Sequence, residues 1–131
     1  MLRREARQEI LKALYRREFL RQADSFNSEK LNYGDQKDFV HDIYFGTVEH
    51  FEEIDELIGE FASGWSVDRL AILDRNILRM ATYELLFYDK TPPEIVINEA
   101  VELSKKFGTE KSPSFVNGIL DRIWKEKATQ N

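Results

Sequence analysis

Residues 67–87 read VDRLAILDRNILRMATYELLF, and this stretch decides the fold class. Its apolar side chains recur at three- and four-residue steps over about six turns, which is the period of a helix with one buried face. The apolar positions are Leu70, Leu73, Ile77, Met80, Ala81, Leu85 and Leu86. Ser66 is suited to cap the start, and we expect a bend near Asp74. This continuous apolar face predicts one long helix over residues 67–87.

The N-terminal segment predicts a helix over residues 4–22, because apolar residues again recur at helical spacing without Gly or Pro. This apolar stripe consists of Ala6, Ile10, Ala13, Leu14 and Leu20. At about 100° per residue, Arg7 lies at the margin of the stripe. The side chains that fall on a different side are Arg4, Gln8, Lys12 and Tyr15. Residues 24–34 are rich in turn-forming residues and predict a loop.

Further helices are predicted on both sides of the central stretch. A second helix begins at about Asp35, and a third lies between a break near His50 and Gly64. Residues 91–94, TPPE, combine a capping Thr, a Pro in the first turn and a Glu three residues after the cap. That helix runs to Gly108, which we expect to take the left-handed conformation that stops a helix.

Residues 112–113, Ser-Pro, repeat the cap-then-proline pattern and predict the start of the last helix. No alternating strand pattern of convincing length is found along the chain. The predicted class is therefore all-α, with six to seven helices that form one bundle or two small bundles packed together.

Composition limits the classes of protein that remain. A chain of 131 residues suits one compact domain, and no apolar run approaches the roughly 18–20 residues that a bilayer requires. The charged start lacks the apolar stretch of a secretory signal, so we expect a cytoplasmic protein. The chain has no cysteine, and His41 and His50 are too far apart to share one helical face. We therefore expect no metal site and no cofactor.

The net charge of −5 conceals an uneven distribution. Residues 1–22 hold seven basic and three acidic groups, which is +4, so the other residues sum to −9. A basic segment on an acidic body indicates a polyanion partner, because clustered cations displace counterions from phosphates. The alternative is a solvated helix whose charges pair with neighbours one turn away.

No arrangement of catalytic residues stands out. Asp68 and Asp74 are six residues apart, and Glu94 and Glu99 are five apart, so neither pair shares a helical face at close spacing. The six glycines are scattered singly and form no phosphate-binding loop. We therefore expect a protein that acts by binding rather than by catalysis.

Two aromatic residues allow two interpretations. Tyr15 and Phe115 are either core side chains or platforms on which unpaired RNA bases stack. The second interpretation is possible because Lys12 lies near Tyr15 and Lys111 lies near Phe115 in the sequence. RNA-binding proteins combine aromatic planes with nearby basic groups in this way.

Two further features interrupt the helical pattern. Asn98 and Glu99 follow an apolar pair, and we interpret them as polar residues that cap a neighbouring loop or helix end. Gly118 lies inside a helical run, where glycine costs about 1 kcal/mol relative to alanine. We interpret Gly118 as a position of close helix packing.

Five runs, in the same order along the chain, resemble the NusB family of transcription antitermination factors. They are RREAR at 3–7 with ALY at 13–15, IDELI at 54–58 with WSVDRL at 65–70, DRNILRMATYEL at 74–85, PEIVINEAVEL at 93–103 with KFG at 106–108, and FVNGILD at 115–121. The resemblance implies one domain, residues 1–131, built from two helical subdomains over 1–63 and 64–131.

The resemblance also implies a function. NusB-like proteins bind the boxA element of ribosomal RNA leaders together with NusE, a small-subunit ribosomal protein, and help elongating RNA polymerase pass terminators. The implied RNA contacts are Arg3, Arg4, Arg7, Tyr15, Lys111 and Phe115. We add Lys12, which lies on the same helix as the arginines. The implied contacts to NusE are Asp74, Arg75, Tyr83 and Glu84.

The chain departs from the family pattern at its start, and alternatives stay open. Glu5 interrupts the arginine-rich motif, so fewer phosphates are contacted, whereas the acidic body suits a basic ribosomal protein. One alternative is a helical domain that binds only a protein partner. Another is an RNA-recognition module related to that of ribosomal RNA methyltransferases, without their glycine-rich cofactor loop. The free chain is expected to be either a monomer or a homodimer.

Overall fold

The computed structural model describes residues 1–19 and 33–128, which form six α-helices. The helices are α1 (Arg3–Phe19), α2 (Lys37–Glu49), α3 (Phe51–Phe61), α4 (Ile72–Tyr83), α5 (Pro93–Phe107) and α6 (Ser112–Ala128). Single 3-10 turns span Gly34–Gln36 and Val67–Arg69, and a π-helical turn, Glu84–Tyr88, continues α4. No strand occurs in these two ranges, which confirms the all-α prediction. The predicted loop before residue 33 and the predicted end of the first helix, 20–22, lie outside the described residues.

Helix α4 lies at the centre of the molecule and packs against each of the other five helices. Ile77, Leu78 and Met80 on this helix are almost completely buried. The apolar face predicted for this stretch is therefore buried in the core. Buried residues on both sides of Gly64 join in one core, and the division into subdomains 1–63 and 64–131 stays a prediction. No described helix is long and apolar enough to cross a membrane.

The stretch 67–87 is not one bent helix, and the bend predicted near Asp74 is wrong. Leu70 and Ala71 have extended backbones, with ψ of 155° and 141°, and they separate the 3-10 turn from α4. The interruption leaves backbone carbonyls without helical partners. Arg75 compensates, because its Nη1 donates to the carbonyl oxygens of Leu70 at 2.7 Å and Asp68 at 3.2 Å.

The two ends of α5 differ from their predictions. Pro92, not Thr91, occupies the capping position, and the Thr91 hydroxyl is buried without a hydrogen-bond partner among the described residues. Gly108 has a φ of −94°, so it is not left-handed. Glycine is needed there for space, because a Cβ atom would lie 2.5 Å from Ser112 Oγ and 2.8 Å from the Ser104 carbonyl oxygen.

Gly118 on α6 provides a test of helix propensity. It is exposed, and nothing lies within 4 Å of the position that its Cβ would occupy, so the predicted close packing is wrong. Gly118→Ala is expected to raise the free energy of unfolding by about 0.5–1 kcal/mol, because alanine loses less backbone entropy in a helix. Urea unfolding followed by circular dichroism measures this change.

Gly46→Ala on α2 is the matched control for this substitution. A Cβ atom at residue 46 would overlap with the Tyr83 ring, and this steric clash opposes the gain in helix propensity. We expect Gly46→Ala to destabilise the fold. A loss of stability in Gly118→Ala would contradict the expected gain, and it would mean that a side chain at residue 118 is not accommodated on α6.

Candidate nucleic-acid interface

The three N-terminal arginines point in different directions. Arg3 and Arg4 are exposed, whereas Arg7 is 4% exposed and Glu84 is 2% exposed. Arg7 Nε donates to Glu84 Oε1 at 2.9 Å, and Arg7 Nη2 donates to the other carboxylate oxygen. Arg7 and Glu84 thus bond to each other in the interior, and the predictions of Arg7 as an RNA contact and of Glu84 as a partner contact stay predictions. A charge buried in a protein requires a charged partner, and each of these residues is that partner for the other.

The exposed arginines contact two different helices. Arg3 Nε donates to Gln36 Oε1 at 2.9 Å, and its guanidinium lies 4.1 Å from the centroid of the Phe39 ring. Arg4 forms two hydrogen bonds with Glu99 on α5, at 2.9 and 3.0 Å. The hydrogen bond from Arg4 lowers the pKa of Glu99, so this carboxylate is charged at neutral pH. The sequence predicted that Glu99 caps a neighbouring loop or helix end. In the structure Glu99 instead pairs with the side chain of Arg4.

Lys12 and Tyr15 line a hollow of about 280 Å³ between α1, α4 and α5. The other residues that line it are Leu11, Arg16, Leu73 and Phe107. Lys12 is exposed, and Tyr15 stacks on Phe19 with 5.2 Å between ring centroids. This hollow combines cationic groups with aromatic surface, the chemistry that single-stranded RNA requires.

Lys111 and Phe115 line a second hollow, of about 260 Å³. The other residues that line it are Trp65, Arg69, Leu70, Ala71, Asp74, Thr109 and Ser112. Leu73, which lines the first hollow, and Asp74, which lines the second, are consecutive residues of α4. Two of the predicted RNA contacts thus line each hollow, Lys12 and Tyr15 the first, Lys111 and Phe115 the second. We call the two hollows together the basic-aromatic face.

Sequence reasoning missed several residues of the basic-aromatic face. Arg16, Phe107, Trp65 and Arg69 line it without having been predicted as contacts. Trp65 is 55% exposed, which is unusual for a tryptophan. Its position in a turn-rich segment after Gly64 was the available signal, because binding residues occur disproportionately on loops.

A network of ion pairs and hydrogen bonds holds α1 against α4. Glu18 accepts hydrogen bonds from Arg75 Nε at 2.7 Å, from Asn76 Nδ2 at 2.8 Å and from Arg79 Nη1 at 3.1 Å. Partial burial raises the pKa of Glu18, but the bonds from these three residues outweigh burial and leave the pKa below its usual value. Glu18 is therefore a charged anchor for the C-terminal half of α1.

The predicted partner contacts do not form one surface. Asp74 and Tyr83 are nine residues apart on α4, which at about 100° per residue places them on opposite sides of the helix. Asp74 lines the second hollow, and its Oδ1 has no hydrogen-bond partner among residues 1–19 and 33–128. Arg75 is occupied by Glu18 and by the carbonyls of the interrupted helix.

Tyr83 lies on the other side, against α2. Its ring packs on Gly46, where no larger residue would fit, and its hydroxyl donates to Asp42 Oδ1 at 2.8 Å. Burial, together with the hydrogen bond to Asp42, raises the pKa of Tyr83 to about 12. Tyr83 therefore stays protonated at physiological pH, with its polar end already bonded.

The sequence profile of the NusB family matches residues 4–125. The chain belongs to the NusB family. The transcription antitermination protein NusB of Geobacillus kaustophilus is 45% identical over 94% of this chain and 95% of the relative. The solved structure of Thermotoga maritima NusB superposes with a TM-score of 0.86 and 44% identity, over 96% of this chain and 92% of that one.

A chain from a second solved structure is also similar. That structure is a complex of the antitermination factors NusB and NusE with double-stranded RNA. The TM-score is 0.78 at 31% identity, over 95% of this chain and 98% of that one. Family membership therefore rests on the sequence and the fold together. In the described parts of the chain, no cluster of three or more His, Asp or Glu side chains could hold a metal ion.

Proposed function

We propose that this chain is a transcription antitermination factor that binds boxA RNA together with NusE and acts by binding, without catalysis. Its relatives are named transcription antitermination proteins, and a NusB has been solved in complex with NusE and RNA. Such a factor acts on RNA as the RNA is made. We therefore place it in the cytoplasm, in a complex with elongating RNA polymerase.

The basic-aromatic face is the observation that carries this proposal. Lys12, Arg16, Arg69 and Lys111 supply four positive charges against the single carboxylate of Asp74. Lysine and arginine neutralise phosphates, and Tyr15, Phe107 and Phe115 offer ring surface for stacking. The chain as a whole has a net charge of −5, so this local excess of positive charge is a property of the face.

NusE is the proposed protein partner, and it is a ribosomal protein that binds RNA. The acidic remainder of the chain, −9 outside residues 1–22, suits a basic partner. We propose that the partner contacts the second hollow, whose lining includes Asp74 and the exposed ring of Trp65. Protein and RNA would then meet at the edge of the same face.

Replacing Lys12 and Lys111 together with alanine is expected to weaken boxA RNA binding about tenfold at low salt. The slope of log K against log salt concentration should flatten by roughly 1.5, because each lysine displaces about one counterion. Fluorescence anisotropy with labelled RNA, measured at several KCl concentrations in the presence of NusE, gives both quantities.

Replacing Lys37 and Lys90 with alanine is the matched control. Both lysines are exposed, and neither lines the basic-aromatic face, yet the net charge changes by the same amount. We expect this variant to keep nearly all of its RNA affinity. Equal losses in the two double variants would mean that only net charge matters, and no loss in either would exclude this face as the RNA interface.

A further inference from the structure

A groove between α1 and α5 lies beside the basic-aromatic face and shares no residue with it. It has a volume of about 350 Å³ and is lined by Arg4, Gln8, Glu99, Glu102, Leu103, Lys105 and Lys106. Three cations and two carboxylates give it a net charge of +1. Gln8 and Lys106 lie one turn or less from Leu11 and Phe107 of the first hollow, so the groove extends that hollow along both helices.

We propose that this groove binds a phosphate of the RNA and that Glu99 is the residue that positions Arg4 for the contact. The proposal rests on the proposed RNA-binding function and adds a site to it. Glu99 does not touch the RNA in this arrangement. Its role is to hold the guanidinium of Arg4 in one orientation, with the unused donors directed outward.

The hydrogen bonds leave Arg4 able to bind a second anion. Glu99 takes the Nε and one Nη2 donor of Arg4, at 3.0 and 2.9 Å. A guanidinium has five N–H donors, so three remain, including both on Nη1. Two of these donors, one on Nη1 and one on Nη2, form the end of the guanidinium and match two oxygens of a phosphate.

The exposures of the two side chains show which of them an approaching phosphate meets first. The Arg4 side chain is 57% exposed, whereas that of Glu99 is 16% exposed. The carboxylate therefore lies beneath the guanidinium, and the cation faces the solvent. An exposed arginine without such a partner would lose rotamer entropy on binding, so holding it in advance favours the complex.

A second bond joins the same two helices and adds a cation. Lys106 Nζ donates to Gln8 Oε1 at 3.1 Å, which leaves two of its three donors free. Lys105 pairs with Glu102 at 3.3 Å, and both of these side chains are about half exposed. Arg4 and Lys106 thus face the groove with donors to spare, and the groove has the composition of a phosphate site.

The carboxylate of Glu99 has two opposing effects on RNA binding. Its charge repels a phosphate, so its removal by itself favours binding. Its hydrogen bonds position Arg4, so its removal also disfavours binding. The two effects have opposite signs, and the direction of the change therefore reveals which one dominates.

Glu99→Gln is expected to weaken binding of a fluorescein-labelled boxA RNA about fivefold in the presence of NusE, and to flatten the salt dependence by roughly one. Glu102→Gln is the matched control, because it removes the same charge from the same groove without touching Arg4. We expect Glu102→Gln to bind RNA as tightly as the wild type, or more tightly. If Glu99→Gln behaves like Glu102→Gln, the positioning role is overturned.

A double-mutant cycle separates positioning from general effects on the fold. In an Arg4→Ala background, Glu99→Gln should cause no further loss of RNA affinity, since there is no arginine left to position. A further loss of about fivefold in that background would overturn the proposal. If the wild type binds NusE but no RNA, the proposed RNA-binding function is wrong. If the wild type binds RNA and the variants bind it with the same affinity, only the proposed phosphate site in the groove is wrong.

Discussion

Glu84→Ala will lower the free energy of unfolding by about 3–5 kcal/mol, because it leaves Arg7 as an unpaired charge in the interior. The pair joins α1 to the π-helical turn after α4, and the two side chains are 5% and 2% exposed. A domain of this kind has about 5–15 kcal/mol of stability in total. Urea unfolding followed by circular dichroism should show a large part of that stability lost.

Two further variants identify the cause. Glu84→Gln keeps the volume and one acceptor, so it should cost less than alanine but still lose the charge that Arg7 requires. The double variant Arg7→Met with Glu84→Leu removes both charges and fills the space with apolar atoms. We expect its stability to lie within about 1 kcal/mol of the wild type or above it. A loss below about 1 kcal/mol in Glu84→Ala would mean that water reaches Arg7.

The same double variant tests the predicted RNA contact of Arg7. If Arg7 is a structural residue, the Arg7→Met, Glu84→Leu chain should bind RNA with wild-type affinity. The Lys12 and Lys111 double variant should lose affinity under the same conditions. A weakening similar to that of the lysine variant would restore Arg7 to the RNA interface.

Arg7 also shows where reasoning from sequence ends. Helical periodicity placed Arg7 at the margin of the buried stripe, whereas in the structure the Arg7 side chain is buried. Its burial depends on Glu84, 77 residues away, and a local pattern contains no information about such a pair. Arg4 illustrates the same limit, because its partner Glu99 is 95 residues away.

The helices themselves were largely predictable, because each depends on local spacing and on proline or glycine. The positions of the third and last helices follow from such signals, and the structure confirms them. The interruption at Leu70 and Ala71 was not predictable in this way. Nothing in the local pattern breaks the helix there, and the broken geometry is stabilised by Arg75, which bonds to the released carbonyls only once the chain has folded.

The candidate site was predicted in part. Lys12, Tyr15, Lys111 and Phe115 were named from sequence, and the fold places them along the two hollows of the basic-aromatic face. Phe107 and Trp65 also line this face, but they lie far along the chain from the other lining residues. In the sequence each of them marks the end of an element, and nothing there indicates a shared surface. The role of each of these residues in binding RNA stays a prediction.

Arg79→Ala will also cost about 3 kcal/mol, through the network that joins α1, α3 and α4. Arg79 donates from Nε and Nη2 to the two oxygens of Asp55, at 2.8 and 2.9 Å, and from Nη1 to Glu18 at 3.1 Å. Its guanidinium also lies 4.1 Å from the centroid of the Phe51 ring. The expected loss lies at the lower end of the range for buried pairs, because the side chains of Asp55 and Glu18 are 24% and 23% exposed.

Arg79→Lys is the matched control, and pH gives an independent test of the same network. Lysine keeps the charge but cannot bond to two carboxylates with a planar fork, so an intermediate loss of stability is expected. The pKa of Glu18 is lowered in the folded chain from an ordinary value of 4.5. Glu18 therefore stabilises the fold above that value, and this contribution is lost as the pH falls through the folded pKa. Stability should decline less steeply with acid in Arg79→Ala than in the wild type, and parallel curves would mean that Arg75 and Asn76 alone hold Glu18.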